Sequence, residues 1–175
     1  MKPFKTFPIL QTERLRLRQV VETDIDRIDF LRSDAEINKY IKRAEPQTRE
    51  LAKAHIELIS QGFLNNKCIE WGITQKTAPL LLGSICLWNY SEDLKTAEVG
   101  YGMDTEFQGK GIMSEALQAV LRFGFEEFKF ETIEAFTHAE NKASRNLLEK
   151  AGFTLIVDKK DEGNPDNVIY AINKL

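Results

Sequence analysis

The sequence predicts an α+β fold, a mixed sheet with helices on both faces, and two features of the 175-residue chain carry that reading. Residues 67–104 hold three runs rich in β-branched and aromatic residues, KCIEWGITQ, LLLGSICLWNY and KTAEVGYGMD. The turn residues TAP and SED divide them, the pattern of an antiparallel meander. From residue 112 onward helix-like and strand-like segments alternate instead, and a strand–helix–strand order implies right-handed crossovers. No Gly/Ser/Pro-rich linker and no internal repeat interrupts the chain, so residues 1–175 are expected to form a single domain.

The elements follow in order. RLRLRQV (residues 14–20) alternates apolar and basic side chains, as a half-exposed first strand does. In VETDIDRIDFLRS, Thr23 is placed to cap a helix with Asp26 three residues on, and Ile25, Ile28 and Leu31 fall at helical spacing. A second helix is expected beyond Pro46, capped by Thr48 over RELAKAHIELISQGF and ended by Gly62. After the meander, Ile112, Met113, Ala116, Leu117, Val120, Leu121, Gly124 and Phe128 mark one face of a long helix. TIEAFTHA is a strand and NKASRNLLEKAG a helix with Asn141 as its cap, Gly152 as its stop and Phe153 as a core aromatic. FTLIVDK is a further strand, and NVIYAINKL a last one after the GNPDN turn.

Composition removes several classes of function. A chain that is 42% hydrophobic and 29% charged is that of a globular protein. With a net charge of −3 and its basic residues scattered among acids, it is not built around nucleic acid. No apolar run approaches a membrane span and the N-terminus lacks the pattern of a signal peptide, so a cytoplasmic location without membrane contact is the expectation. Cys68 and Cys86 are too few for a disulfide framework and are not spaced as a metal pair; both read as small buried side chains. His55 and His138 also lack the short spacings of zinc ligands, so no metal is expected.

The chemistry points to EFQGKGIMSEAL, residues 106–117. Glycines between a strand and a helix start let free backbone N–H groups face an anion. A phosphate-binding P-loop would need glycine at 104 and Ser or Thr at 111, where Asp104 and Gly111 stand. A dinucleotide fingerprint would need a third glycine where Ser114 stands, with no polar stretch between strand and turn. The turn of acyl-CoA-dependent N-acyltransferases, Q/R-x-x-G-x-G/A, is matched by Gln108, Gly109, Lys110 and Gly111, although a plain strand-to-helix turn also uses glycines so.

Its neighbours extend that match. TERLRLR, LLGSICLW, AEVGYGMDTEFQGKGIMSEAL and ENKASRNLLEKAGF occur in the order and spacing of one family, from about residue 11 to the C-terminus. In these pieces the sequence resembles the GNAT superfamily, and within it the RimJ/RimL type of ribosomal-protein N-acetyltransferases. The resemblance implies about seven mostly antiparallel strands with a splayed central pair, and four main helices. It also implies acetyl-CoA as acyl donor, a primary amine as acceptor on a small molecule or a protein N-terminus, and a monomer or homodimer. Met113 departs from the Gly or Ala of many members. Leu148 stands where many carry a tyrosine that protonates the leaving thiolate.

Carried over residue by residue, the resemblance puts the pantetheine arm on the backbone of Gly100, Tyr101, Gly102 and Met103. Glycines there also suit a close backbone approach, or a β-bulge. The CoA pyrophosphate falls to Gln108, Gly109, Lys110, Gly111, Ile112, Met113 and Ser114. Glu98 is the first candidate for the base that deprotonates the amine, and Glu70, an edge carboxylate on the plainest reading, is the second. Asn141, Ser144, Arg145 and Leu148 fall at i, i+3, i+4 and i+7 on one helix face. Asn141 would bond the pantetheine amide and Arg145 would border the cofactor. The Ser144 hydroxyl would meet the sulfur, and a thiol of pKa about 8.5 leaves with only weak help. Acceptor selection falls to residues 23–65 and NYSEDLK; Trp71, Trp88 and Tyr90 are either pocket walls or core.

Overall fold

A computed structural model describes residues 4, 6–42 and 48–174. Pro46, expected ahead of the second helix, and Leu175, the end of the last expected strand, lie outside the described residues. Eight strands form one sheet: β1 (Leu10–Gln11), β2 (Leu15–Gln19), β3 (Ile69–Gln75), β4 (Ala78–Trp88), β5 (Thr96–Met103), β6 (Thr132–His138), β7 (Thr154–Ile156) and β8 (Asn167–Asn173). Their spatial order is β1-β2-β3-β4-β5-β6-β8-β7. The helices are α1 (Ile25–Ser33), α2 (Arg49–Leu64), α3 (Ile112–Phe123) and α4 (Lys142–Lys150). Every neighbouring pair is antiparallel except β5–β6, which α3 connects as a parallel crossover. α4 leads to β7, which skips one place in the sheet, and the last strand fills the gap between β6 and β7.

Strand alternation divides the sheet into two faces. Cross-strand rows Ile69–Leu87–Val99 and Trp71–Ile85–Tyr101 lie on one face, where α3 covers them with Ile112, Met113, Ala116, Leu117 and Val120. The rows Glu70–Cys86–Gly100 and Gly72–Ser84–Gly102 lie on the other, beneath α1 and α2. A second apolar cluster of Val20, Ile28, Leu31, Ala52, Ile56, Ile59 and Leu81 seats those two helices. Trp71 belongs to the main core: it is fully buried, meets Phe123 edge-on at 5.4 Å, and donates its indole N–H to the Pro8 carbonyl at 2.8 Å. Trp71→Ala is expected to lower unfolding free energy by about 3–5 kcal/mol. Urea denaturation checks this, and a loss below about 1 kcal/mol would remove Trp71 from the core.

The structure corrects several local expectations. Thr23 does not cap α1; the chain enters through a 3-10 turn at Glu22–Asp24, where the Asp24 carboxylate accepts the Val21 N–H at 2.9 Å and Arg18 holds it at 2.7 and 2.8 Å. Thr48 does cap α2, accepting the Leu51 N–H at 3.3 Å. Gly62 does not end that helix, which continues to Leu64. Glycine is required there because a Cβ would lie 2.3 Å from the Cys68 sulfur. The long helix ends at Phe123 and continues as a π turn, Gly124–Phe128. A Cβ on Gly124 would sit 2.8 Å from Ile133 Cδ1, so the glycine marks a close approach of helix to β6. β1 went unread because two residues show no alternation, and FTLIVDK pairs only over Thr154–Ile156.

Candidate active site

The site begins where two strands part. β5 and β6 pair only over residues 96–98 and 132–134, and among the described residues no strand pairs with that edge of β5 beyond Glu98. Residues 99–103, which include the segment 100–103 expected to meet a pantetheine arm, therefore turn one backbone edge into a cleft, where unsatisfied N–H and C=O groups seek partners. One is internally occupied: the Gln108 amide donates to the Met103 carbonyl at 3.0 Å.

The glycine turn follows. Asp104 ends β5, accepts the Glu106 N–H at 3.0 Å and pairs with Arg27 of α1 at 2.6 Å. After the 3-10 turn Thr105–Phe107, Gly109 and Gly111 take φ of +72° and +74°, the left-handed region that a Cβ disfavours. A Cβ at Gly109 would meet nothing within 4 Å, so backbone conformation, not packing, requires glycine there. Gly111 is the N-cap of α3, whose first N–H groups, on Ile112, Met113 and Ser114, lack intrahelical acceptors and carry the positive end of the helix dipole. The Ile112 and Met113 side chains are buried in the core, so only their backbones are available to a ligand. Arg14 pins the turn, donating to the Lys110 carbonyl at 3.1 Å and pairing with Glu115 at 2.6 Å. The Lys110 ammonium lies 5.5 Å from the Phe107 ring centroid.

Across the cleft, the Asn141 carbonyl oxygen caps α4 by accepting the Ser144 N–H at 3.1 Å, which leaves its amide N–H₂ for other partners. Ser144 Oγ lies 2.8 Å from the Tyr101 hydroxyl, joining α4 to the parted strand. Burial pushes the Tyr101 hydroxyl up to about 12, with the Ser144 bond opposing it, so it stays protonated at neutral pH. Leu148 is fully buried. Arg145 is tied to structure: its guanidinium donates to Tyr170 Oη and to the Ala139 carbonyl, both at 3.1 Å. Gly152 stops α4 at φ +95°, and Phe153 is buried in the core.

The two carboxylates share the face opposite the core but sit in different fields. Glu98, the last residue of β5 paired with β6, is half-buried and accepts the Asn89 amide at 3.2 Å. Burial pushes its pKa above the ordinary carboxylate value and Asp161 and Glu134 add to that, against Asn89 and Lys159. Glu70 is more deeply buried, which alone would raise its pKa, but His55 at 3.3 Å, Ser84 and the charge of Arg32 hold it below the ordinary value. Glu98 is thus the stronger base of the two. Such divergent environments assign carboxylates to different tasks.

Glu70 faces a cavity of about 560 Å³ between α1, the segment after it, α2 and strands β3 to β5. Trp88 lines that cavity; Trp71 is core, and Tyr90 packs on Phe128 and Phe130. Cys68 and Cys86, expected to be small buried side chains, are half-buried and line it too, with thiols raised first by burial and then by Glu70. His55 and the Tyr101 hydroxyl escaped sequence reading. The histidine meets a carboxylate fifteen positions away, and the tyrosine a serine 43 positions away, with no motif linking either pair. Among the described residues, no group of three or more His, Cys, Asp or Glu side chains is placed to hold a metal, and no helix is long and apolar enough to cross a membrane.

Comparison with known proteins places this geometry. Residues 14–154 match the profile of the acetyltransferase (GNAT) domain. An uncharacterized N-acetyltransferase of Bacillus subtilis, YoaA, is 31% identical over 147 residues, 84% of this chain and 83% of that protein. A GNAT-family acetyltransferase from Bacillus anthracis superposes with a TM-score of 0.79 at 27% identity, covering 95% of this chain and 98% of the other. RimL, a ribosomal alpha-N-protein acetyltransferase solved with coenzyme A, shares the fold at a TM-score of 0.82 and 20% identity, covering 95% and 98%.

Proposed function

The chain belongs to the GNAT family of N-acetyltransferases, and from that premise we propose that it moves an acetyl group from acetyl-CoA to a primary amine by direct attack in a ternary complex. The observation that carries this reading is the parting of β5 from β6 after Glu98, directly ahead of a turn with two left-handed glycines.

The pyrophosphate of the donor docks at the N–H groups of residues 109–114, and the pantetheine arm adds to the open edge of residues 99–103, where the Asn141 amide reaches it. An amine of pKa about 8 to 10 is mostly protonated at pH 7, so Glu98, directly or through water, takes its proton before attack. Nitrogen then bonds to the thioester carbon while N–H groups of β5 support the oxyanion. The C–S bond breaks, the attacking nitrogen gives up its second proton to become the amide, and the thiolate receives a proton through Ser144, whose oxygen Tyr101 holds. Gln108, Lys110 and Arg145 border the cofactor while keeping the turn and α4 in shape. Neither cysteine is needed, since burial keeps both thiols protonated and weakly nucleophilic.

Calorimetric titration tests the donor: acetyl-CoA is expected to bind and NAD not to bind, and the reverse would overturn the reading. The transfer itself is read as CoA release with gain of one acetyl group on the amine by mass spectrometry. Ser144→Ala is expected to slow kcat about tenfold with KM for acetyl-CoA unchanged, because the thiolate is a modest base. Retained acetyl-CoA binding without transfer to any amine or N-terminal peptide would make the chain an acyl-CoA-binding module instead.

A further inference from the structure

We propose that the cavity over Glu70 is the acceptor site and selects a compact primary amine carried on an apolar aliphatic or aromatic body, in preference to a polypeptide N-terminus. This proposal rests on the acetyltransferase reading and deepens it by naming the acceptor class.

Four observations carry it. The cavity, about 560 Å³, has the size of a small-molecule site. Its walls are mostly apolar: Ile28 and Leu31 from α1, Ile37 and Ile41 from the segment after it, Leu58 from α2 and Trp88 from β4. At its mouth Ile41, Leu58 and Trp88 stay 43%, 68% and 45% exposed, a concentration of large apolar side chains that an apolar ligand would cover. Its floor is where the chemistry is expected. Gly100 and Gly102 of the parted strand line it, with no Cβ between the cavity and their backbone. An amine entering from the mouth therefore reaches the open edge of β5 without passing a side chain of that strand.

The polar side chains are the minority. The Glu70 carboxylate, bonded to His55 at 3.3 Å, and the Ser84 hydroxyl lie in the rows beside Gly100 and Gly102; Arg32, whose charge acts on Glu70, and Asn38 also line the space, and the rest of the wall that a ligand body would meet is mostly hydrocarbon. A peptide would bring an amide N–H and C=O with every residue, and burying these against apolar walls without partners is costly. The outer wall is also held in place. Tyr40 packs its ring on His138 at 5.0 Å, and Lys42 Nζ reaches Asn164 at 2.8 Å and Asp166 at 3.2 Å, so the segment carrying Ile37 and Ile41 is strapped to the far side of the cleft. A pre-formed wall favours a ligand that fits the space over one that must displace it.

The test uses the full chain loaded with CoA and reads binding apart from turnover. 2-Phenylethylamine and hexylamine are expected to bind by calorimetry at least about tenfold more tightly than ethanolamine, putrescine or a tetrapeptide with a free N-terminal serine, about 1.4 kcal/mol in each comparison. With acetyl-CoA, the same order is expected in kcat/KM. Leu58→Glu changes an exposed rim residue, leaves the fold intact by circular dichroism and should weaken 2-phenylethylamine binding at least about tenfold without altering CoA affinity. Equal or tighter binding of the tetrapeptide or of the hydrophilic amines overturns the proposal, as does a Leu58→Glu variant that binds 2-phenylethylamine normally. Failure of acetyl-CoA to bind at all sinks the underlying reading; failure of 2-phenylethylamine alone sinks only the acceptor class.

Discussion

Glu98→Gln is expected to lower kcat by about 10²- to 10³-fold while KM for acetyl-CoA stays within a factor of about two, because general-base catalysis is lost and donor docking is not. The amide keeps the shape and still meets Asn89, so the fold is not the variable. The acid limb of the pH profile gives a sharper check. Burial raises the Glu98 pKa, so the carboxyl is still protonated, and inactive as a base, at a pH where an ordinary carboxylate has ionised. Activity should therefore rise with pH through a midpoint above the ordinary glutamate value, and the Gln variant should lose that limb. The stability consequence has the opposite sense to that of a salt-bridged acid. A carboxyl whose folded pKa is raised contributes most below its unfolded value, and that contribution is lost as pH rises through the folded value. At pH 7 the variant should consequently melt at the same temperature as the wild type or higher. A fall in kcat of less than about threefold, or an unchanged acid limb, would move the base role to another group, with Glu70 next in line.

Gly109→Asp is expected to weaken acetyl-CoA binding roughly 100-fold, about 2.7 kcal/mol, with little loss of fold. The left-handed φ of +72° costs a residue with a Cβ about 1–2 kcal/mol, less for aspartate than for most. No atom lies within 4 Å of the added Cβ, so the side chain points into open space. That space is where the diphosphate is expected, and a carboxylate there sets one anion against another at the helix N-terminus. Gly109→Ala separates the two contributions, since it keeps the backbone strain and the bulk but not the charge. Calorimetry with acetyl-CoA and thermal melts in parallel read both. An Asp variant that binds acetyl-CoA within about threefold of wild type would take the pyrophosphate away from this turn.

Local chemistry was legible wherever one segment contained all of it. The Thr48 and Asn141 caps and the Gly152 stop each depend on a few adjacent residues, and each is present. Expectations failed where a residue served a distant neighbour. Asp24 takes over the helix entry from Thr23 because Arg18 comes across from β2 to hold it. Gly62 and Gly124 read as helix markers, yet their absent side chains make room for Cys68 and Ile133.

The sequence by itself determined the fold class, the order of the main helices and of the strands after β1, and the family, because periodicity, capping residues and short motifs are written within single stretches of chain. It also brought Glu98, Ser144 and the glycine turn forward as candidates. Only the tertiary structure decided where β5 leaves β6, that Tyr101 meets Ser144, that the environments of Glu98 and Glu70 push their pKa values in opposite directions, and that a mostly apolar cavity ends on the parted strand. The physical reason is common to all four: pairing, desolvation and enclosure arise between residues far apart in the chain, and their strength depends on distance and burial, which no local pattern encodes.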